Sequence, residues 1–366
     1  MHLLEPREHP SQLMKWLSPV IALLAMLVVG SLLFLVLGVN PTEALYVFFI
    51  EPLTSIYHLS ELIIKASPLI LIALGLAVGF RARLFNIGAE GQLSMGAIFG
   101  GGIAILFHQS IGWWILPLMI VMGAIGGALW GLIPAILKTH FNAEETLTTL
   151  MMNYVAFFIL MYLVNGPWRD PDGMNFPQTV MFNESATLPY ILEGTRVNAS
   201  VFITLCAVLL FWLFIRKSVT AYKLEVSGQA PLAAKYAGFS AKKAIWLSLG
   251  ISGLMAGVAG ICEVAGPIGQ LNPNISPGYG YAAIIVAYLG RLNPIGIVLS
   301  GLLMALIYLG GELAQMQLQL PVAITGIFQG LLLFFLLAAD ALIENRYRFR
   351  KKKSPVINSA AEGVST

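Results

Sequence analysis

The residues most able to do chemistry lie in Phe85-Asn86-Ile87-Gly88-Ala89-Glu90-Gly91-Gln92, where two amides and a carboxylate interrupt apolar sequence. Such groups accept and donate hydrogen bonds. An ionisable side chain in membrane-embedded sequence is costly and marks a pathway or a pairing. The glycines let the backbone leave the helix, which a bilayer tolerates only where protein or a water-filled cavity covers the freed groups. Asn86, Glu90 and Gln92 are therefore candidate substrate-pathway residues. A short interfacial turn with Glu90 in water is the other reading of this octet. Asn153 joins the candidates, because Thr146, Thr149 and Asn153 share one helical face. That stripe either lines a pathway or hydrogen-bonds a neighbouring helix. Asn142 with Glu145 resembles a capping box, so a helix start is the expected role of Glu144 and Glu145.

Other chemistries lack their residues. The five histidines are scattered without ligand spacing, and Cys206 and Cys262 each sit in an apolar run, so neither a metal site nor a disulfide framework is implied. A nucleotide-cradling P-loop needs a Gly-Lys pair, and none occurs in the chain. No catalytic His, Ser or paired-carboxylate motif appears. The expectation is a chain that is no enzyme and binds no cofactor, with any ATP hydrolysed by a partner.

The elements that must position these residues are helices in a membrane. Hydrophobic residues make up 58% and charged residues 11%, against about 25% charged in soluble domains, and mean hydropathy is +0.81. Apolar runs occur near 17–39, 62–80, 93–107, 113–137, 146–165, 199–215, 245–262, 279–290, 295–311 and 323–343. The sequence thus predicts an all-α integral membrane protein with about ten transmembrane helices, the third and eighth too short for a straight crossing of about 20 residues. The first run exceeds a signal-peptide core and lacks a cleavage pattern, so it is expected to be retained, with Asn40-Pro41 as its stop. Lys and Arg favour the cytoplasm in short loops. They cluster before the first run, after the second and fourth, between the sixth and seventh, and after the eighth and tenth. Both termini are expected on the cytoplasmic side. Spans 2–5 and 7–10 then form two halves of opposite orientation, an inverted repeat of the kind that frames a site between short or glycine-broken helices.

Within a membrane domain of 1–343, two connections stand out. Segment 216–243 is basic, with a break expected at Ser227-Gly228. Pro231 suits a helix start, Ala233 and Ala234 propagate it, and Gly238 suits its stop. Such a helix is either an interfacial connector or a close-contact surface for another protein. Segment 166–198 is the longest outward loop and carries four acids and two bases beside Trp168. It is either passive or a docking surface. Residues 344–366 form a basic tail expected to anchor near anionic membrane lipid.

Several motifs together carry a resemblance. They are the Asn86–Gln92 octet core, Asn153-Tyr154, Ala233-Ala234-Lys235-Tyr236-Ala237-Gly238, Ser276-Pro277-Gly278-Tyr279-Gly280-Tyr281 and Gly290-Arg291-Leu292-Asn293-Pro294. In this order, across roughly residues 60 to 340, the chain resembles the inner-membrane permease subunits of bacterial ABC importers for nucleosides and simple sugars. The form Asn-Ile-Gly-Ala-Glu-Gly-Gln is most similar to the nucleoside branch, and the length to its longer permease. The resemblance implies the ten-helix inverted plan and alternating access in the bacterial cytoplasmic membrane. It also implies a separate ATPase that docks on a coupling helix containing Gly228, Pro231, Ala233, Ala234 and Gly238. The reversed charges at Lys223 and Glu225 leave specific ion pairs of that docking open. A second permease chain, forming a heterodimer, and a periplasmic or lipid-tethered binding protein complete the implied assembly. Nucleic acid polymers are not among the implied partners. The competing class is a self-sufficient ion-coupled secondary transporter with Glu90 as its ion site.

Overall fold

The computed structural model describes residues 4–6 and 12–347. Most of the basic tail, including Arg348, Arg350 and Lys351–Lys353, lies outside the described residues, as does Arg7. Thirteen helices are seen among the described residues. They are α1 (Gln12–Val36), α2 (Pro41–Leu45), α3 (Ile56–Arg81), α4 (Ala89–Leu106), α5 (Ile115–Phe141), α6 (Glu145–Asn165) and α7 (Ser200–Lys217), followed by α8 (Val219–Gln229), α9 (Pro231–Tyr236), α10 (Ala241–Glu263), α11 (Tyr279–Leu289), α12 (Pro294–Leu318) and α13 (Ala323–Glu344). Strands β1 (Leu4–Pro6) and β2 (Asn345–Tyr347) pair antiparallel.

Two compact units divide the chain. One takes α1 up to Val28 and α13 from Leu332 onward. It contains the β1–β2 pair, and in it the Ser18 hydroxyl donates to Asp340. The other, Val29–Leu331, holds every candidate residue. At its centre α3 packs against α10, α11 and α12, while α10 packs against α3, α4 and α5. Helix α3 is buried almost all round, whereas α6 and α7 expose most of their apolar surface. A helix hydrophobic on every face suits either a protein core or lipid.

Eight helices are long and apolar enough to cross a membrane: α1, α3, α5, α6, α7, α10, α12 and α13. The ten-span expectation is therefore met at eight. The two others are those expected to be short. Helix α4 has 18 residues with Glu90 and Gln92 in its first turns, and α11 has only 11, about 16 Å at 1.5 Å per residue.

Helices α5 and α10 meet along a seam of glycines. A Cβ added to Gly257 would fall 2.2 Å from the Gly123 carbonyl oxygen, and one on Gly127 would fall 2.2 Å from that of Gly253. Backbone therefore touches backbone, the small-residue contact that holds helices together where lipid removes the hydrophobic drive. The opposite faces of the bundle are tied by longer side chains. At one end, Lys65 of α3 pairs with Glu312 of α12 at 2.7 Å, and Arg196 of the 166–198 loop pairs with buried Glu61. That loop also binds the ends of α4 and α10: Asn183 donates to the His108 and Ser110 carbonyls, and Leu188 N–H donates to Ala265 O. At the other end of α3, Arg81 donates to Glu225 of α8 and to the Leu292 carbonyl.

Several local expectations are corrected. Ser227-Gly228 does not break the chain. Helix α8 runs through both, and Gly228 serves close approach, since a Cβ there would lie 2.6 Å from Arg81 O. The break falls at Ala230 (φ −138°, ψ 71°), the residue before Pro231, where helical geometry is disfavoured by the ring. Pro231 and Gly238 take their expected places, the latter at φ +76°. Asn142 is not an N-cap; it closes α5 in the left-handed region at φ 53°. Glu144 caps α6 instead by accepting from Leu147 N–H. The Thr146 hydroxyl, then the Leu147 N–H, hold the Glu144 carboxyl below its usual range. Glu145 pairs with Lys138. Helix α1 stops at Val36, and Asn40-Pro41 begins α2 rather than ending α1.

Gly257→Val puts a branched side chain into backbone-to-backbone contact. Overpacking of this kind costs about 1–3 kcal/mol or more. The expected result is a lowered thermal midpoint for the detergent-purified chain, whereas Gly326→Val, where nothing lies within 4 Å of an added Cβ, leaves it near wild type.

Candidate functional site

The octet is a turn followed by a helix start, and the side chains of Asn86, Glu90 and Gln92 all take part in hydrogen bonds. The Asn86 side-chain oxygen accepts from Gly88 N–H at 2.8 Å, closing the turn between α3 and α4. Its amide donates to Gln92 Oε1 at 3.0 Å and to the Ser252 hydroxyl of α10 at 2.8 Å. Gln92 and Asn86 are both buried. Asn153, on α6, binds the same turn from the other side. Its oxygen accepts from Gly91 N–H at 2.8 Å, and its amide donates to Ile87 O at 2.9 Å and to the Tyr281 hydroxyl at 3.0 Å. Thr149 adds a hydroxyl that accepts from Ile87 N–H. The stripe Thr149–Asn153 thus hydrogen-bonds a neighbouring segment, the second of its two predicted roles.

Glu90 reaches a different element. Its Oε2 accepts from Gly280 N–H at 2.7 Å, and the Ser276 hydroxyl and Gly278 N–H also face its carboxylate. Helix α11 begins at Gly278, which has no side chain to cap it. The first N–H groups of a helix lack internal partners and carry partial positive charge, and Glu90 supplies the missing acceptor. Contact is close because residue 280 is glycine: a Cβ there would lie 2.3 Å from Glu90 N. The N-termini of α4 and α11 therefore abut, joined by a carboxylate from one and an amide from the other. Ser276 completes the turn by accepting from Gly278 and Tyr279 N–H.

All four candidates come together around this junction. Ser252, Gly280 and Tyr281 are partners that residue-by-residue reading missed. Ser276–Tyr281 was visible as a motif, but no spacing rule joins residue 90 to residue 280. Glu263, the last residue of α10, is buried within electrostatic reach of Lys65 and Arg196. No cluster of three metal-ligating side chains is found among the described residues.

A family model described as "Branched-chain amino acid transport system / permease component" matches residues 58–337. The chain belongs to that permease family. A glucose ABC transporter permease protein of Haloferax volcanii is 33% identical over 94% of this chain and 92% of its own. A guanosine ABC transporter permease protein of Bacillus subtilis is 31% identical over 92% and 97% respectively. A nucleoside ABC transporter permease protein of Lactococcus lactis is 28% identical over 90% and 92%. The permease is thus a subunit of the ABC importer type, and the reading as a self-sufficient ion-coupled carrier is set aside.

In this permease the α8–α9 segment shows which of its residues another protein can meet. Leu232 and Tyr236 of α9 are 75% and 93% exposed, while Ala234 is 4% exposed and packs inward. Ala234 is therefore a packing residue of the segment itself, and Pro231, Leu232, Ala233 and Tyr236 form its outer face.

Glu90→Gln keeps the shape of the junction and removes the charge. The expected loss is about 1–2 kcal/mol, the range of a partly buried charge at a helix terminus. Asn153→Ala, which strands buried donors, should cost about 1–3 kcal/mol. Unfolding of the purified permease measures both, and a Glu90→Gln variant as stable as wild type would remove the capping role.

Proposed function

We propose that this permease carries nucleosides, or related simple sugars, across the bacterial cytoplasmic membrane as one of two permease chains in an ATP-driven importer. The observation that carries the reading is the junction of two helix N-termini, bordered by Asn86, Glu90, Gln92 and Asn153. Discontinuous helices whose ends meet between repeats are where transporters hold polar cargo. Amides, a carboxylate and a tyrosine hydroxyl match the donors and acceptors of a nucleoside better than those of an apolar side chain. The guanosine, nucleoside and glucose relatives point to the same class.

The packing supports ten crossings in an inverted plan. Leu271 is tied to Thr179 in the 166–198 loop, and Leu292 to Arg81 at the far end of α3. The extended stretch before α11 and the half-length helix itself would together span the bilayer. Helix α4 would cross alone. Pairing α3–α6 with α10–α13 exchanges α3's packing on α11 and α12 for α10's on α4 and α5. It also places Gly88-Ala89-Glu90 opposite Gly278-Tyr279-Gly280. In this arrangement the loop 166–198 faces outward, toward a periplasmic or lipid-tethered binding protein. Both termini and α8–α9 are cytoplasmic. The outer face of α9 would receive the ATPase that uses ATP in the permease's stead, the partner permease making a heterodimer.

In proteoliposomes holding the permease with its partner subunits and binding protein, guanosine uptake should require ATP, and uptake without ATP would overturn the proposal. Leu232→Asp with Tyr236→Asp should cut that uptake at least about tenfold while leaving the permease folded, since these exposed side chains contribute little to stability. For topology, cysteines placed at Asp172 and Lys235 in a Cys206→Ser background should react with an impermeant thiol reagent from opposite sides. Same-side labelling would sink the ten-span plan.

A further inference from the structure

At the junction of α4 and α11 the side chains of Asn86, Gln92 and Asn153 are buried and bonded to one another's segments and to Ser252. What the junction leaves open is a ring. Tyr281, in the first turn of α11, is 40% exposed, and its hydroxyl accepts from the Asn153 amide at 3.0 Å. That bond fixes the ring while much of the side chain stays uncovered. Tyr154, next to Asn153 on α6, is 53% exposed and within electrostatic reach of Tyr281. Seven positions along α11, on the same helical face, the half-buried Tyr288 stacks on Phe80 with ring centroids 4.9 Å apart. Phe80 in turn meets the exposed Phe85 ring at 5.8 Å. Aromatic rings therefore follow α11 from the junction toward its C-terminal end. Lipid does not account for this open side. The ten residues before α11, 269–278, are not helical, and such backbone at membrane depth is tolerated only where protein buries it or it lines a water-filled cavity. A second chain packed over Tyr281 would close the junction to any cargo.

We infer that Tyr281 is a specificity-determining residue of this permease, stacking on the planar base of a nucleoside as it passes the junction. The inference rests on the reading of the chain as an importer whose cargo crosses between the starts of α4 and α11. Every base has a π-face, so stacking on an aromatic side chain tolerates any base. A ring already held by Asn153 loses little freedom on contact, which favours binding. A sugar without a base offers no π-face. The further rings along α11 suit passage, because conduction needs contacts strong enough to admit cargo and weak enough to release it.

Proteoliposomes holding the permease, its partner subunits and the binding protein can be supplied with guanosine and, separately, with glucose. Tyr281→Ala should cut guanosine uptake at least about fivefold while the complex still assembles. Tyr281→Trp, which keeps a stacking face, should stay within about twofold of wild type. Tyr281→Leu keeps apolar bulk without a π-face and should fall as far as the alanine variant, whereas a mere packing role would be rescued by leucine. A leucine variant as active as wild type, or an alanine variant whose lost uptake follows lost assembly, overturns the inference. Wild-type uptake of glucose with none of guanosine also overturns it and leaves the importer reading in place. Guanosine uptake that proceeds without ATP overturns the importer reading alone, and the contrast between the tryptophan and leucine variants still decides the stacking.

Discussion

The contact on which the arrangement depends is the one between the Glu90 carboxylate and the Gly280 amide. It joins the starts of two helices that are 190 positions apart in sequence. A bare helix N-terminus away from water is among the costlier features a membrane protein can contain, because its N–H groups have no partner within their own helix. Helix α11 is short, begins at a glycine without a capping side chain, and solves that problem with the Ser276 hydroxyl and an acceptor borrowed from α4. The same exchange makes a carboxylate tolerable there, since the charge meets oriented amides rather than hydrocarbon.

Around this contact, neighbouring elements are held by polar groups at the turn and by small residues along the helices. Asn86, within the turn, ties it to Ser252 of α10, and Asn153 grips it from α6. The α5–α10 seam uses glycine for the opposite purpose, bringing backbones together with nothing between them. Polar contacts fix position, and the seam sets distance. A hinge between helices needs both, because packed interfaces with discrete contacts shift between arrangements rather than deform smoothly.

At the far end of α3, the α8–α9 segment is fastened to the bundle through Gly228 against Arg81–Ala82 and through the Arg81–Glu225 pair. The exposed side chains of α9 project from this fastened base. Force applied to α9 would therefore reach α3, and α3 packs directly on α11 and α12. That path is one of physical contact between the segment proposed to meet the ATPase and the junction proposed to meet the cargo.

The sequence by itself determined the class, the eight helices long and apolar enough to cross a membrane, the helix-start role of Pro231 and the helix-stop role of Gly238. These follow from composition, run length and local backbone preference, all properties of neighbouring residues. It also singled out Asn86, Glu90, Gln92 and Asn153, because polar groups stand out against apolar sequence. It did not say what they touch. Only the tertiary structure showed that Glu90 caps α11, that Asn86 meets Ser252, and that Ala234 faces inward. Nor could the sequence tell α3 from α6, since a helix surrounded by protein and one facing lipid are equally apolar. In an aqueous protein the polar stripe of a helix reveals its buried side. In a membrane that signal vanishes, and partnership between helices is decided by glycine seams and single hydrogen bonds that distant residues supply.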